Sequence, residues 1–244
     1  MCTLSWARVE GGYELFFNRD ERRTRGAELE PALLERERVR YVAPRDADFG
    51  GTWIAVNERG TTLCLLNGYA AEGLEPEPEV QLESRGRLVI ELADAADTRA
   101  VAARLCAREA ARFRPFLLVA LDPRHEALVA EWDGRSLQLD ERAEARMPMI
   151  SSSFAERAVR ARRAAVFRER ARDGRPLAPD ALRACHASHD GGPSAYSVCM
   201  HREDAETRSL TCVRVAPTRV ELEHTPGPPC RTGARPPLAL ERTA

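Results

Sequence analysis

The chain has 244 residues, 43% of them hydrophobic and 31% charged, which is too apolar for disorder and enough for one large domain. Its 37 basic residues are all arginine and are balanced by 38 acidic ones to a net charge of −1; that surface lacks the field of a nucleic-acid binder, so neither DNA nor RNA is an expected partner. No apolar run approaches the roughly 20 residues that cross a bilayer, and the N-terminus has neither a basic region nor a long apolar stretch. The expectation is a cytoplasmic protein without a membrane span, whose seven scattered cysteines are mostly buried thiols.

Residues 2–8 alternate and residues 13–18 are aromatic-rich, with Glu10-Gly11-Gly12 as turn chemistry between them, so the chain opens with a predicted β-hairpin. An irregular Arg/Glu-rich stretch follows. A second hairpin is predicted from 52–56 and 61–66 around Asn57-Glu58-Arg59-Gly60, and the acidic, Pro-rich segment 70–80 reads as a loop. Helical spacing at Leu88, Leu92, Val101, Leu105 and Phe113 predicts two helices broken near residues 94–97. A third hairpin joins 116–121 to 127–132. Further helices are predicted over 155–172 and 179–187, the latter with Pro179 at its first position. The run from Arg157 to Arg175 contains eight arginines and is read as the solvated side of an amphipathic helix whose apolar stripe is Phe154, Ala158, Ala161 and Ala165. Late strands are predicted at 196–201, 208–215 and 219–224, and the organisation is one domain over 1–225 with a Pro-rich tail over 226–244. Strands in hairpins and helices in pairs make an α+β pattern with antiparallel sheets.

Cys2 directly follows the initiator Met, which aminopeptidases remove before small residues. Excision leaves a thiol and an α-amine on one residue, a nucleophile with its own base, because the amine titrates near neutrality. No propeptide beyond Met1 is expected. Pairing across the Gly11-Gly12 turn brings Arg19 and Asp20 back to the terminus, a cation suited to a thiolate and a carboxylate suited to an ammonium. Asn67 ends the second hairpin where a strand empties into a loop, a place for an oxyanion donor or a turn cap.

The start Met1-Cys2-Thr3-Leu4, the run Asn18-Arg19-Asp20-Glu21, the segment from Arg45-Asp46 to Gly50-Gly51-Thr52-Trp53, and Val56-Asn57-Glu58-Arg59-Gly60 through Asn67 together resemble the NRDE family, also called the transport and Golgi organisation 2 family. That family is similar to N-terminal nucleophile (Ntn) hydrolases of the bile salt hydrolase and penicillin V acylase type. The resemblance implies a four-layer αββα sandwich. It implies Cys2 as nucleophile, Arg19 as thiolate partner, Asp20 as amine anchor and Asn67 as oxyanion donor, in the hydrolysis of a non-peptide C–N amide of a small molecule through a thioester. Asn18 and Trp53 are carried as binding candidates. Those amidases use a second Asn after the third hairpin, whereas this chain has asparagine only at 18, 57 and 67, and Ser152 in Met149-Ile150-Ser151-Ser152-Ser153-Phe154 is the substitute. Many family members carry Gly-Thr-Arg-Ser before a late strand; here Ser194-Ala195-Tyr196-Ser197 precedes it and Thr207-Arg208-Ser209 falls one strand later, so that Arg is not transferred.

The second half also holds Cys185, His186, His189, Cys199, His201, Cys212, His224 and Cys230. Without paired short spacings these are read as core residues, and no metal is expected. The family's link to haem trafficking supplies the rival reading, a non-enzymatic carrier of haem or another hydrophobic ligand on the same scaffold. A homo-oligomer is compatible with either.

Overall fold

A computed structural model describes residues 1–69, 82–125, 127–171 and 176–243; the predicted loop at 70–80 lies outside them. Strand β1 (Cys2–Val9) turns at Gly11, whose φ of +73° suits glycine, into β2 (Gly12–Arg22), and the two-residue turn fixes a register that sets Cys2 opposite Arg19. Alternation then separates two faces. Leu4, Trp6, Tyr13, Leu15 and Phe17 enter one core, while Ala7 and Phe16 enter another.

This hairpin is the centre of a six-stranded antiparallel sheet of order β10-β1-β2-β11-β12-β13, completed by β10 (Met149–Ser151), β11 (Ala205–Val215), β12 (Arg219–Pro226) and β13 (Leu238–Glu241). The second sheet is a seven-stranded meander in chain order: β3 (Glu28–Arg36), β4 (Val39–Asp46), β5 (Ile54–Asn57), β6 (Thr62–Asn67), β7 (Phe116–Leu121), β8 (Leu128–Trp132) and β9 (Leu137–Asp140). Helices α1 (Arg85–Leu92) and α2 (Thr98–Cys106) cover the outer face of the meander, and α3 (Glu156–Arg170) and α4 (Pro179–His186) cover the outer face of the first sheet. Three apolar layers separate four structural layers, so the fold is the αββα sandwich. The layer between the sheets holds the fully buried Trp6, Tyr13 and Phe17, each contributing on the order of 2 kcal/mol by burial.

Four expectations change. The irregular stretch after β2 is the β3–β4 hairpin, whose turn residues Glu37 and Arg38 both adopt positive φ, 48° and 63°; such turns advertise themselves by Asn-Gly or Gly-Gly, and Glu-Arg gives no such signal. The strand predicted at 196–201 is irregular chain that meets β11 at one isolated bridge, His201 to Glu206. On α3 the buried residues are Val159, Arg163, Val166 and Phe167, while Phe154 is exposed. A methyl group carries little transfer free energy, so the larger side chains set the phase against the alanine stripe. Residues 226–244, read as a tail, include β13, which extends the first sheet.

Candidate active site

The hairpin register places Cys2 and Arg19 as partners on β1 and β2, facing the second sheet. A cavity of about 180 Å³ opens there, and its walls include Cys2, Arg19, Trp53, Asn67 and the residues that begin α1, Ser84, Arg85 and Gly86. The cavity therefore lies where the two sheets and α1 meet. Glycines make that approach possible: a Cβ on Gly51 would come within 2.8 Å of Gly86 backbone, and Thr52 N–H donates to Gly86 C=O at 3.2 Å. The Gly50-Gly51-Thr52-Trp53 motif is thus the seat of α1.

Arg19 is buried and held on three sides. Its guanidinium lies 4.4 Å from the Trp53 ring centroid, 3.5 Å from Glu28 and 3.3 Å from Asp46. Asp46 is a hub: one oxygen accepts from Arg19 and Arg25, the other from the N–H groups of Asp48 and Phe49. Its partial burial opposes charge, yet the Arg25 and Phe49 hydrogen bonds outweigh this and hold its carboxyl below the usual range. Trp53 is 7% exposed, and its ring braces Arg19 at the cavity wall.

Cys2 is half-buried, and with Met1 still attached its thiol is pushed up by burial, against the lowering influence of the N-terminal ammonium, the Asp20 N–H and Arg19. Met1 is itself buried against Met200 and Ala205, with its ammonium donating to Asp20 C=O at 3.0 Å and its C=O accepting from Asp20 N–H at 2.9 Å. It is thus the Asp20 backbone that holds the terminus. The Asp20 carboxylate points the other way, into the helix-facing layer, where it accepts from Arg163 at 2.8 Å and from Thr207 at 2.7 Å. Arg163 is fully buried and also donates to Thr3 Oγ1 at 2.7 Å.

Thr207 reaches Asp20 because β11 bulges at Arg208. Thr207 pairs with Asp20 and Ser209 with Arg19, and the extra residue turns Thr207 to the helix side and Ser209 to the inter-sheet side, where its hydroxyl donates to Glu28 at 3.0 Å. The Thr207-Arg208-Ser209 triplet therefore joins the supports of both Asp20 and Arg19.

Asn67 ends β6 and donates to Tyr69 Oη at 2.7 Å on the cavity wall. Asn18 does not line the cavity. It is fully buried on the helix side, and its amide donates to the carbonyls of His186 and Val198 while its oxygen faces His186 Nδ1 at 3.1 Å. Ser152 is buried beside Met1, its hydroxyl donating to Phe154 C=O at 2.6 Å and lying 2.7 Å from Met1 Sδ. Glu28, Arg163 and Tyr69 have no role in the sequence reading, and Asp46 stands there only inside the Arg45-Asp46 to Trp53 motif. Arg163 also had a signal, an arginine in phase with Val159 and Val166.

Residues 1–161, about two thirds of the chain, match the model of the family described as Transport and Golgi organisation 2. No curated protein matches the sequence. The fold is similar to penicillin V acylase from Agrobacterium tumefaciens, with 12% identity over 91% of this chain and 82% of that one and a TM-score of 0.56. It is also similar to a mutant of conjugated bile acid hydrolase from Clostridium perfringens, with 9% identity over 100% and 97% and a TM-score of 0.57. A Caenorhabditis elegans orthologue of N-acylethanolamine-hydrolyzing acid amidase is similar at 9% identity over 87% and 92%, with a TM-score of 0.58. These likenesses are of fold. The matched region holds the whole first hairpin, the Asn18-Arg19-Asp20-Glu21 run and the glycine seat of α1, and the chain belongs to the transport and Golgi organisation 2 family, on the fold of the Ntn hydrolases.

Proposed function

We propose that the protein is an N-terminal-cysteine amidohydrolase that cleaves a C–N amide of a small molecule in the cytoplasm. The observation that carries this is the meeting of Cys2, Arg19 and Asn67 on one cavity. Removal of Met1 moves the cationic terminus onto Cys2 itself, where an ammonium stabilises the thiolate better than one residue away.

In the proposed reaction the α-amine takes the thiol proton and sulfur attacks the amide carbon, so that the C–S bond forms and the carbonyl electrons move to oxygen. Asn67 Nδ2, released from Tyr69, donates to that oxyanion. The ammonium returns its proton to the amide nitrogen as the C–N bond breaks. Water, deprotonated by the same amine, then hydrolyses the thioester and frees the acid. Arg19 stabilises thiolate charge. Asp20 acts through Arg163 on the hairpin, and excision of Met1 frees its backbone N–H and C=O for the new terminus.

The haem-carrier reading has less behind it. His186 faces Ser5 and Asn18, and His224 faces Thr211 and Glu28, so both ring nitrogens of each are engaged.

The test is intact mass and peptide mapping of chain produced with an active methionine aminopeptidase, before and after brief exposure to a thiol electrophile. The expected result is loss of Met1 and labelling of Cys2 ahead of the buried Cys64, Cys185, Cys199 and Cys212, in a Cys106→Ser background that removes the exposed competitor. In an amide library, Cys2→Ala should fold and have no turnover. Retained Met1, or turnover by Cys2→Ala, overturns the proposal.

A further inference from the structure

The structure gathers a set of soft ligands that the sequence scatters. His189, His201 and Cys230 offer ligand atoms that all lie within 4.8 Å of one another. Cys199 lies beside this trio and outside its mutual 4.8 Å: its Sγ is 3.6 Å from His201 Nε2, and Cys230 Sγ is 3.4 Å from the same nitrogen. A tetrahedral zinc with Zn–S of about 2.3 Å and Zn–N of about 2.0 Å sets its sulfur and nitrogen ligands about 3.6 Å apart, the separation seen here. The His189 and His201 rings meet edge-on, 5.6 Å between centroids at 71°, leaving their nitrogens able to converge.

Backbone bonds fix this arrangement before any ion arrives. Cys199 N–H donates to Ser188 C=O at 2.8 Å and His201 N–H to Ser194 C=O at 3.1 Å, so the chain between α4 and β11 closes on itself and presents three of the four ligands. Cys230 comes from the turn after β12, whose Gly227 N–H donates to Arg208 C=O at the β11 bulge. His189, His201 and Cys230 are partly exposed, which gives a cation a way in.

We infer that His189, Cys199, His201 and Cys230 form a tetrahedral zinc site. Two thiolates and two imidazoles suit zinc by softness and geometry. On coordination each thiol gives its proton to solvent and the dication is neutralised. The site ties the segment after β12 to the irregular chain that carries Met200, the residue packed against Met1, so it stiffens the wall behind the N-terminus. It is independent of any reaction at Cys2.

The test uses the full chain, purified with reductant and chelator and then freed of both, and titrated with Co²⁺. The expected result is one equivalent bound, with the visible bands of tetrahedral cobalt and thiolate charge transfer, both displaced by Zn²⁺. Zinc should also slow alkylation of Cys199 and Cys230. Cys230→Ser, in an exposed turn, and His201→Ala should lose the spectrum, whereas Cys106→Ser should keep it. Absence of the cobalt spectrum in the wild-type chain overturns the inference. So does its survival in Cys230→Ser, or a Cys199–Cys230 disulfide in chain alkylated at lysis.

Discussion

Asp20 and Arg163 are both withdrawn from water and joined at 2.8 Å. The pair is not symmetrical. Asp20 has Thr207 as a second donor, whereas among the described residues Arg163 Nε and Nη2 have no hydrogen-bond partner and its Nη1 meets one carboxylate and the Thr3 hydroxyl. Breaking a buried pair from one side leaves an uncompensated charge, which costs about 3–5 kcal/mol. Arg163→Met and Asp20→Asn are each expected to lose that much in urea unfolding, and the double variant less than the sum of the two. A strictly additive double variant would show that the pair does not interact. The sequence expectation gives the Asp20 carboxylate to the amine of Cys2; in the chain with Met1 attached that carboxylate faces Arg163 and Thr207. The register does send Asp20 to Met1, but through the backbone, because alternation turns its side chain to the opposite face from Cys2.

At the scale of elements, the cavity wall depends on how closely α1 meets the segment before β5. Gly51 and Gly86 touch backbone to backbone, and a Cβ on Gly86 would lie 2.9 Å from Thr52 N. Gly51→Ala and Gly86→Ala should each cost about 1–3 kcal/mol through overpacking. They should also change the alkylation rate of Cys2, since the start of α1 must move away from it. Gly233→Ala, with nothing within 4 Å of the added methyl, is the control and should leave both thermal midpoint and alkylation rate unchanged. Unchanged melting of Gly51→Ala would show that α1 seats some other way. The glycines themselves were visible in the sequence. Their role was not, because Gly51 and Gly86 belong to segments that only the folded meander brings together.

Over the whole molecule, stability should depend on pH through His186. Its imidazole joins β1 through Ser5, β2 through Asn18 and α4 through its own backbone. Burial, then Arg163 and Arg183, push its pKa down to about 3. The folded ring stays neutral while the unfolded one takes up a proton near pH 6.5. The unfolded state therefore binds more protons between about 6.5 and 3, and stability falls as pH falls through that window, by up to about 1.4 kcal/mol per unit. Urea unfolding from pH 7 to 4 should show this slope, and His186→Gln, which keeps a donor and an acceptor, should flatten it. An equal slope in the variant would assign the acid sensitivity to the carboxylates.

The sequence by itself determined the first hairpin, the second and third hairpins, the α1–α2 break and the pairing of Cys2 with Arg19 across the first turn. These are set by local alternation, by short connections and by glycines whose positions are read directly. Tertiary structure decided the rest. It chose Glu28 and Asp46 as the holders of Arg19 and Arg163 as the partner of Asp20, and it brought His189, Cys199, His201 and Cys230 together. It also placed Asn18 in the helix layer and the Val159 face of α3 against the sheet. The physical reason is range. A strand's two faces and a tight turn are fixed by neighbours in the chain, whereas the partner of a buried charge or thiol is whatever the stacking of layers delivers from a distant segment.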